Sequence, residues 1–210
     1  MGEDRAAGRL DNFVDGAFAF ALTLLVIAGG DQGFGYGQLV EAMWRVPAFA
    51  AGFALIANFW YAHVQWRRAG GASDSGSVLL SLALVFTVLV YVHPVRVMTG
   101  MLTDFVSSKG SGALDFGGVF TLYGVGFTVM AGLTAALYAH GERRGDLDAR
   151  GGDGKIAWSV ATASGILSVL LAQLPFPWVF AAPWTYALLP AAVPLALRAR
   201  RRRLHSSATA

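Results

Sequence analysis

The sequence predicts an all-α integral membrane protein with six transmembrane helices and both termini in the cytoplasm. Of its 210 residues, 55% are hydrophobic and only 14% are charged, whereas about a quarter of the residues of a soluble domain are charged. Apolar runs of about 18 to 25 residues recur along the chain, and each can cross about 30 Å of hydrocarbon. Basic residues occur in alternate loops, as they do when they set the orientation of membrane helices.

The predicted spans occupy most of the chain, and no appended soluble domain is evident between them. We therefore expect one six-helix transmembrane domain over residues 1–204 and a short cytoplasmic tail over residues 205–210. The spans are residues 10–28, 40–64, 78–98, 116–140, 156–174 and 178–197.

The loops predict the topology. Residues 28–38 contain no Lys or Arg, whereas Arg67 and Arg68 follow the second span, and the fourth loop and the tail are also basic. This alternation places both termini on the cytoplasmic side and indicates an even number of helices. The net charge of +3 therefore reflects topology and not a nucleic-acid partner, although the Arg-rich tail also suits a contact with anionic lipids. For the polar, Gly-rich residues 141–154 we expect a linker.

Several classes of function find no support in the residues. The chain has no cysteine, which excludes disulfides, thiol catalysis and thiolate metal sites. Motifs of zinc proteases, serine hydrolases and nucleotide-binding loops are absent. We therefore predict that the protein is not an enzyme and holds no resident metal or cofactor. His63 and His140 are predicted on the same side of the membrane, which leaves an electron carrier with ligated haem as a third alternative.

The first span begins with charged and aromatic residues and continues as an apolar helix that contains one hydroxyl. Residues three, four and seven positions apart share one face of a helix. This face either packs against another helix, with Thr23 bonded to its own backbone, or has a function of its own. Ala17 and Ala21 also favour the close approach of a neighbouring helix. The face consists of Arg9, Phe13, Gly16, Phe20, Thr23 and Ile27, with Leu24 beside it.

A polar cluster is expected where the second span ends, at the depth of the start of the first span. Trp60 and His63 are three residues apart and share a face. Ionisable groups within a membrane need partners, so Asp11 or Asp15 could join these two side chains and Arg9 and thereby fix the first helix. Alternatively, Trp60 belongs to the interfacial aromatic belt and His63 to the water layer.

These two stretches resemble the signature of the transmembrane protein 175 family of potassium channels. The pattern Arg9-x-x-x-Phe13-x-Asp15 at the start of the first helix is similar to the family's R-x-x-x-F-S-D motif, and F-W-x-x-H ending at His63 is similar to its second-helix motif. The resemblance covers the first helix and the end of the second, and the other helices agree in layout. Members of this family have no T-V-G-Y-G filter, and none occurs here.

The resemblance implies a homotetrameric, potassium-permeable channel in the bilayer of a bacterial cytoplasmic membrane, with potassium as the permeant ion. In the family, the first helix from each of four chains lines a central pore, and apolar side chains at successive turns form its constriction. Rings of this kind gate by dewetting. Carried over by position, the constriction consists of Phe20, Leu24 and Ile27, with Thr23 supplying a hydroxyl ring linked to selectivity.

The resemblance also implies how the first helix is held. In the family a polar network fixes it against the second helix. Carried over by position, this network consists of Arg9, Phe13, Asp15, Trp60 and His63.

Three positions depart from the family pattern. Val14 stands where the signature has Ser, Phe20 where Ile or Leu is usual, and Ser81 where related chains often carry Asn. Four Phe20 rings around one axis are bulky enough to block it, so a tightly gated or poorly conducting channel is also compatible with the sequence. The alternative from another class is a non-conducting membrane scaffold or a small-molecule transporter on the same fold.

Overall fold

The computed structural model describes residues 2–27, 35–106, 116–175 and 177–208, and within these ranges the protein has helices and turns but no strand. The predicted all-α class is therefore confirmed for the described part of the chain. The helices are α1 (Gly2–Ile27), α2 (Tyr36–Arg68), α3 (Ser75–Val106), α4 (Phe116–Arg144), α5 (Ala149–Leu171), α6 (Trp184–Ala187) and α7 (Leu189–Ala208), with a 3-10 turn at Trp178–Ala181 before α6.

Within the described ranges, four helical segments are long and apolar enough to cross a membrane by themselves. A fifth candidate is the bent pair formed by the segment Trp178–Ala187 and the part of α7 up to Arg202. The multi-pass membrane class is thus supported, while the count of six spans and the cytoplasmic termini stay predictions. The four single segments are Ala42–Arg68, Ser75–Met98, Phe116–Arg144 and Arg150–Leu171.

The last predicted span, residues 178–197, is not one continuous helix. The segment Trp178–Ala187 and α7 meet at an angle of 55°. Proline explains the break, because it has no backbone N–H and its ring clashes with the carbonyl four residues earlier. Pro183 directly precedes α6, and Pro190 lies in the first turn of α7, where a missing N–H costs little.

The prediction of a linker over residues 141–154 is wrong for most of these residues, which are helical. Helix α4 continues to Arg144 and α5 begins at Ala149, because the Asp148 carboxylate accepts hydrogen bonds from the N–H groups of the first turn of α5, at 2.8 and 3.2 Å. This is a standard N-cap. The glycines of α5 serve close packing, since a Cβ at Gly152 would lie 2.2 Å from an Arg200 nitrogen.

The helices pack as two connected groups. Helices α1, α2 and α3 contact one another, and α4 contacts both α2 and α3. On its other side α4 packs on α5, which carries α6 and α7. Aromatic rings join the two groups, since the ring centroid of Phe59 in α2 lies 5.7 Å from that of Phe127 in α4 and 5.1 Å from that of Trp158 in α5.

Candidate functional site

Helix α1 has two faces with opposite environments. One face packs against α2 and α3 and is buried along its described length, with Val14 at 0% and Phe18 at 2% exposure. Spacings of three and four residues place these side chains in a single stripe. The buried stripe consists of Leu10, Val14, Phe18, Ala21 and Leu25.

The opposite face of α1 is the one that the sequence singles out, and most of it is exposed in the part of the chain that the structure describes. Phe13 is 53% and Phe20 57% exposed, and Arg9, Gly16 and Thr23 are exposed as well. Packing of this face within its own chain is therefore not what the structure shows. We call Arg9, Phe13, Gly16, Phe20 and Thr23 the open face of α1.

The remaining predicted pore positions differ from these five. Leu24 is half-buried and packs against the core. Ile27 ends α1, and its side chain lies outside the described residues. The Thr23 hydroxyl donates a hydrogen bond of 2.9 Å to the Ala19 carbonyl oxygen of its own helix, as a back-bonded threonine does.

Asp15 and Trp60 form one of the polar contacts expected between the first two helices. The Trp60 Nε1–H donates to Asp15 Oδ1 at 2.8 Å. Because the acceptor is a charged carboxylate, this hydrogen bond is of the stronger, charge-assisted kind. It joins the start of α1 to α2 beside the open face.

Sequence reasoning missed the partner of Asp11, which is Arg67. One Nη of Arg67 donates to Asp11 Oδ2 at 3.2 Å, and Arg67 Nε lies 2.7 Å from Asp11 Oδ1 as an ion-pair contact without hydrogen-bond geometry. From the sequence alone, the position of Arg67 after the second span indicates only a topology signal. A signal was present nevertheless, because Arg67 lies two helical turns after Trp60 and Asp11 one turn before Asp15.

His63 lies inside the bundle and not in a water layer, since it is only 2% exposed. Its Nε2 is 3.0 Å from the hydroxyl oxygen of the fully buried Ser81 in α3, and its ring centroid is 5.3 Å from that of Trp66. The expected contact between His63 and an acid of α1 is thus replaced by a contact between α2 and α3.

Two of the three departures from the family pattern now have a structural account. Val14 lies in the buried stripe at 0% exposure, where its methyl groups fill space that a hydroxyl would leave polar. Ser81 supplies the polar atom that His63 needs. Phe20, the third departure, is on the open face, where its ring meets little of its own chain.

A network of loops fastens the two helix groups together where α2 and α4 end and α3 and α5 begin. We call this the basic end of the bundle, because Arg67, Arg68, Arg143 and Arg144 lie there. The Asp148 N–H donates to the Ala69 carbonyl oxygen at 2.9 Å. Gly70 beside it has a φ of +106°, a conformation that favours glycine.

Asp74 is the central acid of this network. Its carboxylate accepts from the Ser77 hydroxyl at 2.7 Å and from the Gly76 N–H at 3.1 Å, and it lies 2.9 Å from His140 Nε2 and 3.9 Å from Arg144. Burial alone would raise the pKa of Asp74, but the hydrogen bonds from Ser77, His140 and Gly76 outweigh it and hold the pKa well below its usual value.

The haem alternative finds no support in these contacts. His63 and His140 each bond a neighbouring side chain. In the described ranges, no three His, Cys, Asp or Glu side chains gather in a way that could hold a metal ion.

Fold and site together define a multi-pass helical membrane protein. In it, polar contacts to α2 hold one flank of α1, while the open face of α1 is exposed. The sequence profile of the family described as "Endosomal/lysosomal potassium channel TMEM175" matches residues 9–94, which include α1 from Arg9 onward, all of α2 and the first part of α3. The resemblance expected from the sequence is therefore confirmed. The site residues Asp11, Asp15, Trp60, His63 and Arg67 all lie in the matched segment.

Individual proteins support the same relationship. A protein of Marivirga tractuosa named "Potassium channel" is 32% identical over 112 residues, which make up 53% of this chain but only 41% of that relative. The match thus spans less than half of the relative's length. The crystal structure of a variant of the potassium channel MtTMEM175, in complex with a nanobody–MBP fusion, has a TM-score of 0.77 with 21% identity and covers 92% of this chain and 93% of its own. It shows the same fold, and the named relatives are ion channels and not enzymes.

Proposed function

We propose that this protein is a potassium-permeable ion channel of a bacterial cytoplasmic membrane, assembled from four copies of the chain around the open face of α1. The observation that carries the proposal is that face itself, to which the resemblance assigns the pore lining and which the described residues of its own chain leave exposed. The named relatives, which are potassium channels, support the choice of ion.

The composition of the open face fits water better than lipid. Arg9 and Thr23 are polar, and Gly16 has no side chain to fill a lipid contact, whereas polar and ionisable groups within a membrane usually face a partner or a water-filled path. The two phenylalanines, seven residues and about 10.5 Å apart along the axis, make the rest of the face apolar. Such an alternation of apolar rings with one hydroxyl suits a pore that gates by dewetting.

Thr23 is the residue on which ion selectivity would depend. Its hydroxyl hydrogen points back to the Ala19 carbonyl oxygen, so its oxygen lone pairs are free to face outward. Four such oxygens around one axis could replace part of the hydration shell of a cation. In this proposal Phe20, Leu24 and Ile27 form the apolar constriction on either side of that ring.

Contacts at the basic end support the proposed topology. Asp11 near the start of α1 contacts Arg67 at the end of α2, and Arg200 in α7 lies 2.8 Å from Asp153 in the first turns of α5. These pairs lie near the start of α1 and in the later part of α7, and both are at the same end of the bundle. This arrangement is the one expected if both termini are cytoplasmic. Residues 1–204 then form one six-helix domain with α1 as the first span and the bent pair as the last.

The decisive experiment measures potassium flux into vesicles that contain the purified tetramer. The intact protein should conduct, and Thr23→Ala should change the ratio of potassium to sodium flux by about tenfold, since a selective oxygen ligand contributes on the order of 1.4 kcal/mol. Thr23→Ser, which keeps the hydroxyl, should retain most of the selectivity.

Thr162→Ala is the matched control. Thr162 in α5 also donates to the carbonyl four residues earlier, at 2.8 Å, but it is not part of α1. Its loss should leave the flux ratio unchanged. A verified tetramer that conducts under no condition would contradict the channel and favour the scaffold.

A further inference from the structure

We infer that Asp11 and Arg67 form a second positioning contact that sets the rotation of α1 about its own axis, and so decides which side chains face the pore. The inference rests on the proposed function, since the open face matters only if it lines a pore. It concerns a pair outside the motif residues by which the chain resembles its family.

Two contacts fix a helix in a way that one cannot. Asp11 and Asp15 are one turn, about 6 Å, apart along α1, and both lie on the flank between the buried stripe and the open face. Besides the packing of the buried stripe, the bond from Trp60 to Asp15 restrains this flank of α1 at one point. The pair of Asp11 with Arg67 adds a second point one turn away, so turning α1 would have to break both contacts.

Arg67 is itself held in place, which makes it a fixed point and not a flexible surface group. Its side chain is 16% exposed, its Nη1 donates to the Gly71 carbonyl oxygen, and its guanidinium lies 5.6 Å from the centroid of the Trp66 ring. A guanidinium with several occupied donors is pre-organised and loses little entropy when it binds a carboxylate.

The same arginine links α1 to the other half of the molecule. Gly71 follows Ala69 in the loop between α2 and α3, and the Ala69 carbonyl oxygen accepts from the Asp148 N–H at the start of α5. Contacts therefore run from the loop between α4 and α5, through the loop after α2, to Arg67 and the start of α1. A change at the basic end could reach the pore helix by this route.

The chain contains a second ion pair that serves as an internal control. Arg200 and Asp153 are 2.8 Å apart, with side chains 29% and 31% exposed, against 16% and 38% for Arg67 and Asp11. The two pairs have comparable exposure, although Asp153 also accepts a hydrogen bond of 3.2 Å from Arg201. Among the described residues, the ion pair of Arg200 joins α7 to α5 and not to α1.

The test reads the rotation of α1 directly, by the reactivity of introduced cysteines in a protein that has none of its own. Gly16→Cys places a thiol on the open face, where a Cβ meets nothing within 4 Å. Ala21→Cys places one in the buried stripe, at a position that is 0% exposed. The reagent is a charged, water-soluble methanethiosulfonate, and the measured quantity is the ratio of the two labelling rates in verified tetramers.

In the otherwise intact protein the thiol at position 16 should react much faster than the one at position 21. Arg67→Met should lower that ratio about fivefold, a typical size for coupling between two sites, and should lower potassium flux to a similar extent. Asp11→Asn should act in the same direction, and Arg67→Lys, which keeps the charge but not the fork, should restore part of both quantities. Arg200→Met should change neither.

Different results overturn different claims. An unchanged ratio in tetramers of Arg67→Met or Asp11→Asn would refute the inference while leaving the channel intact, as would an equal fall with Arg200→Met. Absence of flux from the intact tetramer, with no reaction at position 16, would refute the proposed function and the inference with it.

Discussion

Helices α1 and α7 lie at opposite edges of the bundle and are attached in different ways. α1 packs on two neighbours and has a fully buried stripe with Val14 and Ala21 at 0% exposure. α7 packs mainly on α5, and between Leu189 and Arg202 none of its residues is fully buried. Both helices carry an ion pair to a neighbour, Asp11 with Arg67 and Arg200 with Asp153.

The difference shows that the structural role of an ion pair depends on how well the helix that carries it is packed. In α1 the pair restrains the rotation of a helix that the buried stripe already holds, while the open face stays exposed. In α7 the pair is a main link of a weakly packed helix to its neighbour. We therefore expect substitutions in α1 to affect stability and conduction, and those in α7 to affect attachment alone.

The largest expected effect comes from the buried stripe of α1. Phe18→Ala removes a ring that is 2% exposed and should lower the free energy of unfolding by about 3 to 5 kcal/mol, because both burial and packing are lost. Leu195→Ala, at a site in α7 that is 61% exposed, should change it by less than about 0.5 kcal/mol. Thermal unfolding of both variants in detergent measures the difference. Equal losses would remove the distinction between the two helices.

A smaller effect is expected at the contact between Trp60 and Asp15. Trp60→Phe keeps an aromatic ring but removes the N–H that Asp15 accepts, and potassium flux in vesicles should fall about tenfold, as for a lost charge-assisted hydrogen bond of about 1.4 kcal/mol. Trp184→Phe, at an exposed site in α6, is the control and should conduct normally. Full flux from Trp60→Phe would mean that Asp11 and Arg67 hold α1 without help.

The smallest effect is expected at Asp74, whose carboxylate joins the start of α3 to His140 in α4. Because the pKa of Asp74 is held low in the folded protein, its contribution to stability is present above its unfolded pKa of about 4 and is lost as the pH falls further. The loss should be about 1 kcal/mol, the size of a helix N-cap.

Melting temperatures between about pH 6 and pH 3 test this expectation. Asp74→Asn keeps a capping side chain but cannot titrate, so its melting temperature should be lower at neutral pH and fall less in acid. Asp148→Asn, at the cap of α5, should retain the acid-dependent loss. An Asp74→Asn protein with the full loss would assign the effect to another group.

The sequence predicted what depends on periodicity and charge. The open face of α1 follows from residues three and four apart, and the contact of Asp15 with Trp60 follows from matching depth in two adjacent helices. Prediction failed where a partner came from a distant part of the chain. Arg67 looks like a topology signal until α1 is placed beside it, and Ser81 becomes a partner of His63 only when α3 packs on α2.

The errors in secondary structure have local physical causes. Residues 141–154 look like a linker because they are polar and rich in glycine, but Asp148 caps α5 and the glycines allow Arg200 and Tyr138 to approach its backbone. Glycine there reflects close packing and not flexibility. Residues 178–197 look like one apolar span, because hydropathy does not register the break that proline imposes.

The bond from Asp148 to Ala69 also bears on how the chain is made. The turn after α2 emerges from the ribosome before α4 and α5. The Ala69 carbonyl therefore has no Asp148 N–H to accept from, and Gly70 has no Asp146 to pack against, until the later loop has been translated. Tyr138, whose hydroxyl donates to the Ala62 carbonyl oxygen 76 residues earlier, adds a second delayed contact. The segment that resembles the family signature is therefore synthesised first, but two of its contacts form only after α4 and the start of α5 have been made.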